Sequence, residues 1–286
     1  MKLAHCQAAG AAGGAPFWAV VDVASATLRP IAGGVADWGP AITRGAGEAA
    51  LQFTGPAQPL ASVRLLPPVT RSNRVVVAGA NYARHLAADF GLSQPHHQPI
   101  AFLKAFRAMI GAHDAIRYPP LTRELDHEVE LVVVIGAERL DRANPLAGVL
   151  GYTVGNDVSA RDLQRSGPPG VGMDLFAAKS ADQTTGLGPW VVTRDEFADS
   201  SPKLPLQLRV NGELRQDGHT AEMTWDVPAL LRFVDERSRF DVGDVMFTGS
   251  PAGTGQGSGL FLKPGDVVEA SIPGIGSLRN VVALLD

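Results

Sequence analysis

Cysteine is nearly missing from this sequence. Cys6 stands alone among 286 residues, so no disulfide forms within the chain and the fold must be held by its core. Charge is scarce as well. Only 19% of residues are Asp, Glu, Lys or Arg, the formal net charge is −4, and no run of Lys or Arg stands out. Without a basic stripe to neutralise phosphates, nucleic acid is excluded as an expected partner. Long hydrophobic runs are absent too: the longest, residues 131–137, falls far short of the ~20 residues a bilayer-crossing helix needs. His5, Gln7 and a run of glycines break up the opening stretch, which therefore lacks the apolar segment of a secretory signal. The expectation is a cytoplasmic protein with no membrane partner. Repeats and low-complexity tracts are also missing.

What is present is apolar material, 45% of the chain, enough for one large domain or for a catalytic domain with a smaller companion. Residues 1–66 are rich in Ala and Gly, with a short apolar run at 17–21 and turn signals at Arg29-Pro30 and Gly39-Pro40. They read as a small β-containing N-terminal domain. The paired prolines of Leu65-Leu66-Pro67-Pro68-Val69 fix an extended joint, and residues 67–286 form the second domain. There, short strands are expected at 75–78, 130–135, 152–154, 206–210, 244–248 and 266–272. Asn211-Gly212 marks a hairpin. A helix over 81–90 should close at Gly91, and Asp226 should cap another that turns Leu230, Leu231 and Val234 to one side. Strands outnumber helices, so the class is α+β and β-rich, with loops gathered around a site.

The most informative stretch is Asp126-His127-Glu128-Val129-Glu130, which runs straight into Leu131-Val132-Val133-Val134-Ile135. Side chains two apart on a strand point the same way, so Glu128 and Glu130 share a face. Two like charges held together at a buried strand need a proton, a base or a cation. Asp157, just after the apolar Tyr152-Thr153-Val154, offers a third carboxylate. An all-oxygen set with no Cys and no paired His suits a hard ion, Mg²⁺, Mn²⁺ or Ca²⁺, and not zinc. Such an ion leaves about one negative charge in excess, which Lys179 would offset if it folds back to the site. The glycines at 249, 253, 255, 257 and 259 are not followed by Gly-Lys-Ser/Thr. They read as a substrate-facing loop, not a phosphate cradle.

Taken in order, Gly79-Ala80-Asn81-Tyr82 with His85, Glu128-Val129-Glu130-Leu131, residues 151–164 (GYTVGNDVSARDLQ), Leu187-Gly188-Pro189-Trp190, Val210-Asn211-Gly212-Glu213 and Thr248-Gly249-Ser250-Pro251 resemble the fumarylacetoacetate hydrolase family. The resemblance implies a mixed β-roll that dimerises with a second copy and holds Mg²⁺ or Mn²⁺ on Glu128, Glu130 and Asp157. It also implies a small anionic oxo-acid substrate, of acylpyruvate or fumarylpyruvate type, whose carbon–carbon bond is hydrolysed through an enolate that the metal stabilises. Decarboxylation or isomerisation of a related 2-oxo or 2-hydroxydienoic acid is the alternative within the family. A non-catalytic ligand-binding homologue is the alternative outside enzymes. By position, Lys179 and Gln164 act on substrate oxygens, and Tyr82, Arg161 and Ser250 contact substrate, with an ion pair as a second role for Arg161. His85 matches the family base, whose partner is a glutamate three residues later. Here that place holds Ala88, and the first acid is Asp89, four residues on; i+4 lies on the same helical face. The polar loop 93–99, with His96 and His97, sits where the family carries a lid.

Overall fold

The computed structural model describes every residue except 11–13, 92–96, 171 and 285–286. Its centre is the strand Val129–Ile135, buried at every position. Both faces are covered, which is why its sequence is a continuous apolar run and not an alternation. Val129, Leu131, Val133 and Ile135 pack with Leu206, Leu208, Val268 and Leu278. Val132 and Val134 enter a second cluster with Trp18, Trp38, Val75, Val77 and Phe247. Glu128 and Glu130 stand in the row of Val132 and Val134, so the carboxylates continue an apolar ridge.

Among the described residues this strand belongs to a twelve-stranded mixed sheet. On one side it pairs antiparallel with Val149–Asn156, then Thr185–Thr193, then Lys2–Ala8, Phe17–Asp22 and Thr27–Ile31. On the other it pairs with Val245–Phe247, which runs parallel to Val75–Gly79, and Ile100–Lys104 forms the edge. A five-stranded sheet, ordered Glu213–His219, Pro205–Val210, Val267–Ile272, Gly276–Ala283 and Ile116–Arg117, packs its apolar face on the first core cluster. Helices are few, as the α+β reading expects. Asn211 and Gly212 both take positive φ, 53° and 81°, the twist a two-residue hairpin turn requires. Asp226 accepts from the Ala229 N–H at 2.8 Å and caps helix Val227–Arg237, which buries Leu230, Leu231 and Val234.

Two turn signals of the N-terminal region are overturned. Arg29-Pro30 lies inside strand Thr27–Ile31. Its outer partner Gln58–Pro59 pairs only with Thr27 and Leu28, so Pro30 sits beyond that ladder, where a missing N–H is tolerated. Gly39-Pro40 lies inside helix Val35–Thr43. Burial of Val35, Trp38 and Ile42 on one face outweighs the hydrogen bond that Pro40 removes. The first strand also pairs with Thr185–Thr193 and with Val63–Leu66, so the hydrogen-bonded sheet runs on across the joint at Leu66.

Candidate active site

Antiparallel register assembles the carboxylates. Val129 lies opposite Asn156, and the Asp157 N–H donates to the Glu128 carbonyl at 2.8 Å. Asp157 thus turns back beside the entry of the central strand. One oxygen each of Glu128, Glu130 and Asp157 lies within 4.8 Å of the other two, and all three residues are buried. Three buried carboxylates this close fit a hard divalent cation. The titration of the site says the same. Burial, then the charges of Asp157 and Glu128, push Glu130 well above the usual carboxylate range. Burial also opposes the Glu128 anion, but Arg161, Lys179 and His85 outweigh it and hold that carboxyl well below the usual range.

Lys179, at the end of the short helix Leu175–Lys179, places Nζ 2.5 Å from both Glu128 Oε2 and Asp157 Oδ2. Burial opposes its charge; Asp157 and Glu128 overcome that and raise its pKa. It stands where the sequence needed a counter-charge. Arg161 is spent on the chain itself: Nε donates to Asp126 Oδ2 at 2.7 Å, Nη1 to Gln164 Oε1 at 3.1 Å, and Nη2 to Glu128 Oε1. With 1% of its surface exposed, it makes the ion pair expected as its second role, holding Glu128, and it also lines the cleft.

His85 lies on helix Ala83–Phe90, which Gly91 ends at φ 66°. The four-residue spacing to Asp89 suffices: Nδ1 of His85 is 2.6 Å from Asp89 Oδ2, and Nε2 is 3.9 Å from Glu128 Oε1. Asp89 Oδ2 also accepts from Thr254 Oγ1 at 2.5 Å. A Cβ at Gly257 would sit 2.4 Å from Asp89 Oδ1, so the glycine-rich loop closes on the acid and not on a phosphate. The same loop is tied down by Asp126, whose carboxylate accepts from the Gly255 and Gln256 N–H groups at 2.6 and 3.0 Å.

His85, Glu128, Glu130, Asp157, Arg161, Gln164, Lys179 and Ser250 line one cleft. Asp89 stands behind His85. Tyr82 is 1% exposed, stands at the N-terminus of helix Ala83–Phe90 close enough to Glu130 for burial and that charge to raise its pKa, and lines a separate hollow with Arg84 and Glu222. Ser250 reaches the cleft, but its hydroxyl donates to the Val129 carbonyl at 3.0 Å and accepts from Gln216 Nε2 at 2.8 Å. Its hydroxyl thereby holds the strand between the two glutamates. Residues 93–96 of the expected lid lie outside the described residues, and His97 is exposed.

Lys104 was missed by sequence reasoning. Its Nζ donates to Asp157 Oδ1, and to the Val158 carbonyl at 3.0 Å, and it is 4% exposed. Burial lowers its pKa, with Asp157 working against that. The signal available was alternation: Phe102 and Lys104 share a face of one strand, and Phe102 lines the cleft.

The family model described as fumarylacetoacetate (FAA) hydrolase, C-terminal, matches residues 74–283. A human mitochondrial oxaloacetate tautomerase is 38% identical over 231 residues, 79% of this chain and 72% of that protein. The crystal structure of 2-hydroxyhepta-2,4-diene-1,7-dioate isomerase from Mycobacterium marinum superposes with a TM-score of 0.77 at 31% identity, covering 99% of this chain and 98% of that one. Fumarylpyruvate hydrolase from Pseudomonas aeruginosa, solved with Mn²⁺ and pyruvate, gives a TM-score of 0.67 at 28% identity over 78% of this chain and 92% of that one.

Proposed function

Because this chain belongs to the fumarylacetoacetate hydrolase family, we propose that it hydrolyses the carbon–carbon bond of a small acylpyruvate-type 2-oxo acid, with Mg²⁺ or Mn²⁺ held by Glu128, Glu130 and Asp157. The observation that carries this reading is the 2.6 Å contact between His85 and Asp89. It restores the orienting acid whose usual place Ala88 occupies, and an oriented base is what activation of water needs. A divalent ion in the carboxylate pocket supplies Lewis-acid charge for the substrate's keto and carboxylate oxygens.

The chain's own residues do the rest. His85 Nε2 takes a proton from water, and the hydroxide adds to the acyl carbonyl carbon. The bond from that carbon to the methylene breaks, and the methylene carbon takes up a proton to give pyruvate beside the second acid. Asp89 stabilises the imidazolium that forms. Lys179 and Gln164, on the cleft wall, face the oxygens that gain negative charge.

Isomerisation of a related oxo acid, without water, is the second reading. The oxaloacetate tautomerase and dioate isomerase among the similar proteins favour it. Chelator-stripped protein incubated with acylpyruvates, fumarylpyruvate and oxaloacetate, with and without Mn²⁺, separates the two by product mass. Two acids and one water consumed support hydrolysis; unchanged mass moves the reaction to isomerisation, and CO₂ to decarboxylation. Bound Mn²⁺ without any product overturns the enzyme.

A further inference from the structure

The cleft has two unlike halves. One is the charged floor of carboxylates, Lys179, Arg161 and His85. The other is built from Ile100, Phe102, Met173 and Leu175, with Val77 and Gly79 at its base. Ile100 and Phe102 are four and two residues before Lys104 on one strand, so all three point the same way. Lys104 reaches Asp157, and the strand therefore leads outward from the carboxylates along an apolar rail. Gly79 pairs with Ile100. A Cβ there would lie 3.7 Å from Phe102 Cε1 and 3.8 Å from Ile100 Cγ2, so the missing side chain leaves a slot bounded by both. Met173 covers the flank, its sulfur accepting from Gln164 Nε2 at 3.3 Å.

Charge sharpens the contrast. Each cation lining the cleft already faces an acid: Arg161 faces Asp126 and Glu128, Lys179 faces Glu128 and Asp157, and His85 faces Asp89. Among the described residues no cation lines the apolar half. A second carboxylate placed there would lose its hydration without gaining a partner.

We propose that this half is a hydrocarbon subsite: the 2-oxo carboxylate end of the substrate lies toward Glu128, Glu130 and Asp157, and a short uncharged tail lies against Ile100, Phe102, Met173 and Leu175. This rests on the function proposed above and narrows it. The preferred substrates are alkyl acylpyruvates, in contrast to the dioate and the oxaloacetate named for two of the similar proteins.

Binding tests the subsite without turnover. Mn²⁺-loaded protein is titrated calorimetrically with pyruvate, 2-oxobutanoate, 2-oxopentanoate and 2-oxohexanoate, and with 2-oxoglutarate as the dicarboxylic comparator. Kd is expected to fall by about two- to fourfold per methylene, and 2-oxoglutarate to bind about tenfold more weakly than 2-oxohexanoate. Gly79→Val fills the slot from ordinary backbone geometry and flattens the series. Leu175→Lys, a second variant on another element, shifts preference toward 2-oxoglutarate. A flat series in the unmodified protein, tighter binding of 2-oxoglutarate, or no binding of any 2-oxo acid overturns the subsite. Failure of the hydrolase reading looks different: the graded series persists, while alkyl acylpyruvates are not split into two acids.

Discussion

At the scale of the residue, the decisive question was whether an aspartate one position out of place reaches the histidine. A helix puts i+3 and i+4 on one face, and the shorter side chain at Asp89 arrives within 2.6 Å. His85→Gln is expected to lower kcat by on the order of 10²–10⁴-fold with Mn²⁺ affinity kept. Asp89→Asn should cost less, about 10-fold or more, and stopped-flow or steady-state rates at saturating Mn²⁺ check both. The carboxylate triad was legible because period-2 geometry and an apolar run leave Glu128 and Glu130 nowhere to go but a shared buried face. Lys104 was not, since a lysine on an edge strand normally faces water. Only the docking of helix Leu175–Lys179 and the Asp157 turn around it makes it a buried counter-charge. Arg161 and Ser250 line the cleft, and their ties to Asp126, Glu128 and the Val129 carbonyl depend on tertiary packing that no local pattern in the sequence announces.

At the scale of the element, the strands of the central core were readable wherever both faces are apolar, and the Asn211-Gly212 hairpin declared itself through turn chemistry. Helix Val35–Thr43 did not, because Gly39 and Pro40 argue locally for a turn. Its apolar stripe counts only once Trp38 meets Trp18, edge to face at 5.4 Å. The first strand carries its own pH dependence. His5 stacks on Trp18 at 5.1 Å and its Nδ1 lies 2.9 Å from the Pro67 carbonyl. Burial lowers its pKa below 6.5, with the Pro67 contact opposing. The unfolded chain therefore takes up the proton first, and stability falls as pH drops below 6.5 until the folded value is reached. His5→Phe keeps the stacked ring and removes the titration. The fall in Tm between pH 7.5 and 5.5 should shrink by about 1–2 °C, as read by scanning calorimetry.

At the scale of the whole molecule, the carboxylates sit on neighbouring strands in the middle of the large sheet, so a bound ion ties two core strands together. Ligand at about 100 times its Kd adds about 2.7 kcal/mol, which at this size raises Tm by about 4–5 °C. Mn²⁺ should produce that rise, EDTA should abolish it, and Glu130→Gln should remove most of it. No helix among the described residues is long and apolar enough to cross a membrane. The dimer implied by the family resemblance is kept as a proposal: light scattering should give twice the 30.0 kDa chain mass.

The glycine-rich loop has one further consequence for how such a molecule changes over generations. Thr254 grips Asp89, Gly255 and Gln256 grip Asp126, and Asp126 grips the arginine that holds Glu128. The proton-moving pair and the carboxylate pocket are thus linked through one short loop, and a change in either is felt by the other. The rail of Ile100 and Phe102 lies outside that linkage, on the sheet's edge. Descendants of this chain can exchange the substrate's tail by editing the rail alone, while the reacting centre is inherited whole.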